Sequence, residues 1–170
     1  MRCVALAQYL VEQGIEVSFL TAPSWPQIME YLQRQNFDVR PLALDAAKLG
    51  ASEDLEALVR NARGRTDWVV LDNYYFDLPF QEALQREGLH TLVLDDGEES
   101  RGLSADLVLN HGLQADASQY EAARARRCLL GTEYALIRTE LRSYRRKPRA
   151  RSNHLLITLG AGARERSGPK

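Results

Sequence analysis

The stretch that decides the fold runs from Trp68 to Asp77 and reads WVVLDNYYFD. Its first four residues form an uninterrupted apolar run rich in β-branched side chains, which predicts a strand buried on both faces. Polar residues begin abruptly at Asp72, and Asp77 followed by Pro79 predicts the start of a helix. In a parallel α/β sheet, the side chains just beyond a strand's carboxyl end line the ligand crevice. The alternative interpretation is that Asp72 and Asn73 only cap the next helix.

Helices and strands alternate on both sides of this stretch. Apolar periodicity predicts helices over 1–13, 24–32, 52–59 and 79–86, with Gly14 and Gly88 ending two of them and Ser52 capping a third. Short apolar runs predict strands over 16–20, 37–42, 68–71, 91–94 and 106–110. Pro41 predicts that the second strand lies near an edge of the sheet. The alternation predicts an α/β fold with a Rossmann-like parallel sheet and helices on both faces.

Composition and charge exclude several classes of protein. The 170 residues are 45% hydrophobic and 26% charged, with a formal net charge of -1, so no electrostatic footprint for nucleic acid or an anionic membrane is present. No apolar run is long enough to span a bilayer. Cys3 and Cys128 lie in apolar contexts without metal-ligand spacing, which predicts reduced core thiols in a cytoplasmic protein.

The two ends of the chain interrupt the α/β pattern. We predict an N-terminal Rossmann-like domain over 1–141, a charged linker over 142–153, and the start of a further domain over 154–170, where HLLITLG reads as a strand. A parallel α/β unit should open with a strand, yet this chain opens within a helix and closes as a second sheet begins. We therefore expect the fold to be truncated at both ends.

No complete catalytic motif is present. The sequence lacks GxGxxG, GxxxxGK[ST], GxSxG and HExxH. Asp95 and Asp96 follow a predicted buried strand, the position of a functional acid; a metal pair is one interpretation, and a turn or helix-capping role is favoured over it. His90, His111 and His154 have no metal-ligand partner at helical spacing, so each is interpreted as structural or solvated.

Several short strings occur in a fixed order, with Tyr120 among them: MRCVALAQYL, VVLDNYY, LVLDDG, ADLVLNHG, LLGTEYALIRTEL and HLLITLG. The ordered set resembles the amino-terminal half of the UDP-2,4-diacetamido-2,4,6-trideoxy-β-L-altropyranose hydrolases of pseudaminic acid biosynthesis, from Met1 to Gly160. The resemblance implies the N-terminal domain of a two-domain glycosyltransferase B-type fold. It also implies release of UDP by inverting attack of water at the anomeric carbon, without a metal or another cofactor.

The resemblance assigns roles to individual residues. Tyr74 matches a tyrosine beside the reacting sugar, where a phenol could orient water, while Asn73 stands where the family has a histidine. The family's catalytic base, a histidine in a Gly-x-Gly-His loop, has no counterpart in this sequence. The substrate-binding positions implied by the resemblance are Asp72, Asn73, Asp95, Asp96 and Arg138.

The implied ligand is a small-molecule UDP-sugar, and a missing C-terminal half is the implied partner; neither nucleic acid nor a membrane is expected. Because the Gly-x-Gly-His loop and a nucleotide domain are absent from the sequence, we expect little or no hydrolase activity from the chain alone. Two further functions stay open. One is a non-catalytic binding module that pairs with a separately encoded half, and the other is the acceptor half of a glycosyltransferase B-type transferase.

Overall fold

The computed structural model describes residues 2–42, 44, 48–64, 66, 68–72, 75–97 and 102–142. The helices are α1 (Arg2–Glu12), α2 (Pro26–Arg34), α3 (Ser52–Ala62), α4 (Leu78–Arg86) and α5 (Thr139–Arg142). The strands are β1 (Ser18–Thr21), β2 (Asp38–Pro41), β3 (Trp68–Leu71), β4 (His90–Leu94), β5 (Ser104–Asn110) and β6 (Arg124–Leu130). Short 3₁₀ turns cover Ala117–Tyr120 and Thr132–Tyr134.

All the described strand pairs are parallel. β1 pairs with β2 in one sheet, and the second sheet has the order β3-β4-β5-β6. Helices connect several of the successive strands, as expected when parallel neighbours are joined by crossovers. The predicted α/β class is therefore confirmed, and the arrangement is compatible with a Rossmann-like fold. Among the described strands β2 pairs only with β1, which agrees with the edge position that Pro41 predicted.

Helices cover both faces of the four-stranded sheet. On one face, Leu58 of α3 and Leu84 of α4 share a buried core with Val108 of β5. On the other face, Cys3 and Leu6 of α1 pack against a second buried cluster, formed by Leu92, Leu94 and Leu109 of β4 and β5. The two clusters sandwich β4 and β5, so these strands are buried on both faces and form the centre of the described core.

β3 differs from its prediction. Leu71 is 2% exposed, but Trp68 and Val70 on the opposite face are 45% and 37% exposed. The prediction that this strand is buried on both faces is therefore wrong. α3 and α4 cover the Leu71 face, whereas α1 packs over β4 and β5 and leaves the Trp68 face of β3 open.

Helix ends follow local chemistry, with one exception. Gly14 and Gly88 both have a positive φ of 78° and lie two residues beyond the ends of α1 and α4, as predicted. Asp77 caps α4 by accepting a hydrogen bond from the Phe80 N–H at 3.0 Å. Ser52, predicted to cap α3, is instead its first helical residue and follows Ala51 at the cap position.

The chain beyond α4 contains elements that the sequence did not predict. These are β6, the two 3₁₀ turns and α5, which packs on α1 through a 3.0 Å ion pair between Arg142 and Glu12. Arg142 thus lies in a packed helix, while the remainder of the predicted linker and residues 154–170 lie outside the described residues. Within the described ranges, no helix combines the length and the apolar character needed to cross a membrane.

Candidate functional site at the carboxyl edge of the sheet

Polar side chains from neighbouring strands meet where those strands end. Asp72 follows β3, Asp95 and Asp96 follow β4, and Asn110 is the last residue of β5. Parallel strands place their carboxyl ends at one edge of a sheet, and this edge is where α/β proteins bind ligands. We call the set Asp72, Asp95, Asp96 and Asn110, together with Arg2 and Tyr120 described below, the carboxyl-edge site.

Arg2, at the start of α1, joins two of the strand ends. Its Nε and Nη2 both lie 2.7 Å from Oδ1 of Asp72, and Nη2 also donates to the Leu94 carbonyl at 3.2 Å. The remaining guanidinium nitrogen, Nη1, donates to Asp96. Burial of the guanidinium opposes its charge, but hydrogen bonds and charge attraction from Asp72 and Asp96 outweigh this and raise the pKa of Arg2. A single cation therefore holds the ends of β3 and β4 together.

Cys3 forms a hydrogen bond to the second oxygen of the Asp72 carboxylate. Its Sγ donates to Oδ2 of Asp72 at 3.0 Å. Burial and the nearby Asp72 charge raise the pKa of the Cys3 thiol, so it stays protonated and serves as a donor. Asp77, and not Asp72, caps α4. The interpretation of Asp72 as a helix cap is therefore wrong, because both of its oxygens bind α1.

Asp95 belongs to a separate, buried network with Tyr120 and Asn110. The Tyr120 hydroxyl donates to Oδ2 of Asp95 at 2.5 Å and accepts from Nδ2 of Asn110 at 2.9 Å. Burial and hydrogen bonding to Asp95 raise the pKa of Tyr120, against a smaller opposing effect of Asn110, so the phenol remains the donor. The Gly97 N–H also donates to Oδ2 of Asp95 at 2.8 Å. The adjacent aspartates thus have different partners.

The same network shapes the loops that follow β4 and β5. Oδ1 of Asn110 accepts from the Gly112 N–H at 2.8 Å, and a Cβ at Gly112 would lie 2.9 Å from that oxygen. The segment after β5 is therefore a tight turn built on an asparagine side chain. Nδ1 of His111, in this turn, is buried and has no hydrogen-bond partner among the residues that the structure describes.

Among the described residues of the carboxyl-edge site, acidic groups outnumber basic groups. Asp72, Asp95 and Asp96 supply three carboxyl groups, and Arg2 is the guanidinium that binds two of them. Asp96 is the more open of the two, with a side chain 46% exposed against 25% for Asp72. An excess of carboxylate oxygens suits a ligand rich in hydrogen-bond donors. Among the described residues, no cluster of three or more His, Cys, Asp or Glu side chains is placed to hold a metal ion.

The structure brings some of the predicted site residues together. Asp72 and Asp96 share Arg2, and Asp95 lies beside Asp96 in the chain but is buried against Tyr120. Arg138 makes its described contacts elsewhere, with the Tyr31 hydroxyl and with Glu140, both at 3.4 Å. The predicted residues Asn73 and Tyr74 lie outside the described residues.

Sequence reasoning did not assign roles to Arg2 or Tyr120. Both lie within or between the strings that carry the resemblance, but neither follows a strand. Tyr120 is 5% exposed in an otherwise polar segment, and this burial is the signal that sets it apart. Only the tertiary fold brings Arg2 to Asp72, which lies 70 residues away in the chain.

Comparison with known proteins yields no assignment: no protein-family model, no curated protein and no solved structure matches the chain significantly.

Proposed function

We propose that the carboxyl-edge site binds the sugar of a UDP-linked diacetamido sugar, as part of a hydrolase that releases UDP by inverting attack of water. The observation that carries the proposal is the meeting of Asp72 and Asp96 on one guanidinium at the carboxyl ends of adjacent parallel strands. The ordered strings described above suggest the substrate class, and the position of these side chains at the carboxyl edge of a parallel sheet supports this edge as the place of binding.

The chemistry of the site favours the sugar over the nucleotide. Hydroxyl and acetamido N–H groups are hydrogen-bond donors, and carboxylates accept bonds from them. A diphosphate would be repelled by the same carboxylates, since Arg2 is already bound to Asp72 and Asp96. We therefore assign the sugar to this edge and the diphosphate to groups outside it.

An acidic crevice also suits the proposed reaction. Positive charge develops on the sugar ring as the bond between the anomeric carbon and UDP breaks. Fixed carboxylates close to that carbon lower the energy of the charged transition state more than that of the neutral ground state. In this scheme Asp96, the more exposed carboxylate, meets the ligand, and Arg2 and Cys3 hold Asp72 in place.

The test is a titration of the isotope-labelled chain, followed by amide and arginine side-chain NMR signals. The UDP-linked diacetamido sugar is expected to shift the signals of Arg2 and of residues 94–97, whereas UDP alone is expected to leave them unchanged. Asp96→Asn should weaken binding by about 10-fold or more, the cost of losing a hydrogen bond to a charged group.

Asp116→Asn is the matched control, because Asp116 is exposed and its hydrogen bonds to described residues stay within its own turn. Its side chain accepts from Ser118, and its backbone N–H donates to the Gln119 side chain. Binding by this variant should equal that of the unmodified chain. Shifts produced by UDP alone at residues 94–97, or equal losses in the two variants, would contradict the proposal.

A further inference from the structure

A cleft lies at the amino-terminal edge of the four-stranded sheet, opposite the carboxyl-edge site. Its volume is about 450 Å³, a size typical of pockets that hold small molecules. The seven residues of β5 separate the two edges by about 20 Å. The polar side chains that line this amino-edge cleft come from the starts of three strands and from α4, and they are Gln85, His90, Ser104, Asp106, Arg124 and Arg126.

Asp106 is the buried acid of the amino-edge cleft. Its Oδ2 accepts a hydrogen bond from the Thr91 N–H at 2.9 Å, while Oδ1 lies 3.3 Å from Nη1 of Arg126 and 3.4 Å from Nδ1 of His90. Burial raises the pKa of Asp106, but these contacts outweigh it, and the pKa lies below its ordinary value. Asp106 is therefore an ionised group whose charge is already balanced by Arg126.

The two arginines of the cleft present accessible donors. Arg126 contacts Asp106 through Nη1 at a distance longer than the usual charge-assisted bond of about 2.7–2.9 Å, and its side chain is 77% exposed. Arg124 pairs through Nη1 with Glu82 at 2.7 Å, and its side chain is 74% exposed. A guanidinium group carries N–H donors on all three nitrogens. Both groups can therefore donate to a ligand while they keep their present ion pairs.

The rest of the lining is partly apolar. Leu89 and Ala105 contribute to the wall, and the His90 ring packs on Trp68 with the ring centroids 5.1 Å apart. Pockets for small organic molecules combine such apolar walls with a few polar groups that fix the orientation of the ligand. The amino-edge cleft has both features, so it suits an organic molecule better than a bare ion.

We propose that the amino-edge cleft binds a small organic anion, whose phosphate or carboxylate group lies between Arg124 and Arg126 and whose body packs on the apolar wall. Guanidinium groups bind such oxyanions through parallel N–H···O bonds. Alternate residues of a strand face the same side, so both arginines can reach one oxyanion. Because the cleft lies at the opposite edge from Asp72 and Asp96, its ligand is independent of the UDP-sugar proposed above.

The test is a titration of the isotope-labelled full chain at constant ionic strength, followed by amide and arginine side-chain NMR signals. The probes are phenyl phosphate and benzoate, which carry the same ring on a phosphate and on a carboxylate group. At least one of them should produce saturable shifts at residues 88–90, 104–106 and 124–126 and leave residues 94–97 unchanged. Inorganic phosphate and acetate, which lack the ring, should bind more weakly because they cover no apolar surface.

Arg126→Gln should weaken binding of the aromatic probe by about 10-fold or more, the cost of losing hydrogen bonds to a charged group. Arg34→Gln is the matched control, because Arg34 is 73% exposed on α2, pairs with Glu30 and lies outside the cleft. It removes the same charge and should leave binding unchanged. If Arg126→Gln does not fold, Arg124→Gln provides the same comparison, since Arg124 pairs with a partly exposed acid.

Three results would overturn the proposal. Saturating phenyl phosphate and benzoate without shifts at the cleft residues would show that the cleft does not bind organic anions. Inorganic phosphate or acetate binding as tightly as the aromatic probes would identify a site for a bare ion. Equal losses of affinity in Arg126→Gln and Arg34→Gln would show general attraction by positive charge, without a specific site.

Discussion

Asp54 shows how a single carboxyl group can work against the fold. It is 1% exposed in the first turn of α3, and its Oδ2 accepts a hydrogen bond from the Gly50 N–H at 2.8 Å. Its Oδ1 is buried and has no hydrogen-bond partner within the described part of the chain. Burial raises the pKa of Asp54, and the bond from Gly50 offsets this only in part. The folded chain therefore favours the protonated form of Asp54 more than the unfolded chain does.

The sign of the effect follows from linkage. A carboxyl group whose pKa is raised on folding destabilises the fold increasingly as pH rises from its unfolded value, about 4, through its folded value. Asp54→Asn cannot ionise, so its stability relative to the unmodified chain should increase over that range. Urea denaturation at several pH values measures this.

Asp116→Asn supplies a control of opposite sign. Hydrogen bonds from Ser118 lower the pKa of Asp116, so its stabilising effect is present above the unfolded pKa and lost as pH falls. The stability of this variant relative to the unmodified chain should decrease as pH rises. A stability difference for Asp54→Asn that does not change with pH would contradict the interpretation.

Tyr120→Phe is predicted to destabilise the fold. It leaves the buried ring in the core but removes the oxygen that links Asp95 to Asn110, and both partners stay buried. Leaving buried polar groups without a partner costs about 1–3 kcal/mol. Tyr9→Phe, at a residue 48% exposed, should change the free energy of unfolding by less than about 0.5 kcal/mol. Equal effects in chemical denaturation would argue against the network.

Only part of the candidate site could be predicted from the sequence. Asp72 and Asp96 could be predicted because each follows an apolar strand, and parallel topology then brings strand ends together. The pairing with Arg2 could not, because it depends on where α1 packs. Asp95 was predicted to bind substrate, yet 5% exposure and the bond to Tyr120 also give it a structural role that no local pattern reveals.

At the scale of elements, strand prediction depended on apolar character. β4 and β5 are buried and were found from their apolar runs, although β5 begins two residues before its prediction. β6 was missed because arginine occupies three of its seven positions, at Arg124, Arg126 and Arg127. Their charges suit an edge strand but hide the periodicity by which strands are recognised.

The turn before α3 provides a prediction at the same scale. Gly50 has a φ of 79°, and a Cβ there would lie 2.1 Å from the Tyr75 carbonyl oxygen. Gly50→Ala must therefore displace the segment before α4 as well as strain the backbone, and should cost more than about 2 kcal/mol.

Gly64→Ala separates the two contributions to that cost. Gly64 has a similar φ of 69°, but nothing lies within 4 Å of a Cβ at that position. The free energy of unfolding of this variant should fall by only about 1 kcal/mol, which is the cost of placing alanine in a left-handed backbone conformation. Thermal or urea denaturation of the two variants measures the difference. Equal losses of stability would mean that the backbone at Tyr75 moves away from the new Cβ at little cost.

For the whole molecule, we predict two levels of local stability. β4 and β5 lie between two core clusters, whereas β1 and β2 form a two-stranded sheet with partly exposed side chains. Amides of β1 and β2 should exchange with solvent through openings of lower free energy than those of β4 and β5. Native-state exchange with mass spectrometry tests this, and uniform protection across both sheets would contradict it.

At this scale the sequence predicted the class of fold but not the division of the sheet. The alternation of strand-like and helix-like apolar runs was enough to predict a parallel α/β fold. Each run, however, reflects only the burial of its own residues. Whether β1 and β3 pair depends on which strands become neighbours, and nothing in SFLT or WVVL encodes that. The exposed face of β3 followed from the same unpredicted arrangement.

The arginines of β6 have a consequence for behaviour in acid. Arg124 is paired with Glu82, and Arg126 with Asp106. Guanidinium groups keep their charge at any ordinary pH, whereas carboxylates become neutral as acid is added. Acidification would therefore unmask positive charge along this edge, and two molecules approaching through β6 would repel each other more strongly. Crystallisation or storage at low pH should accordingly disfavour contacts through β6.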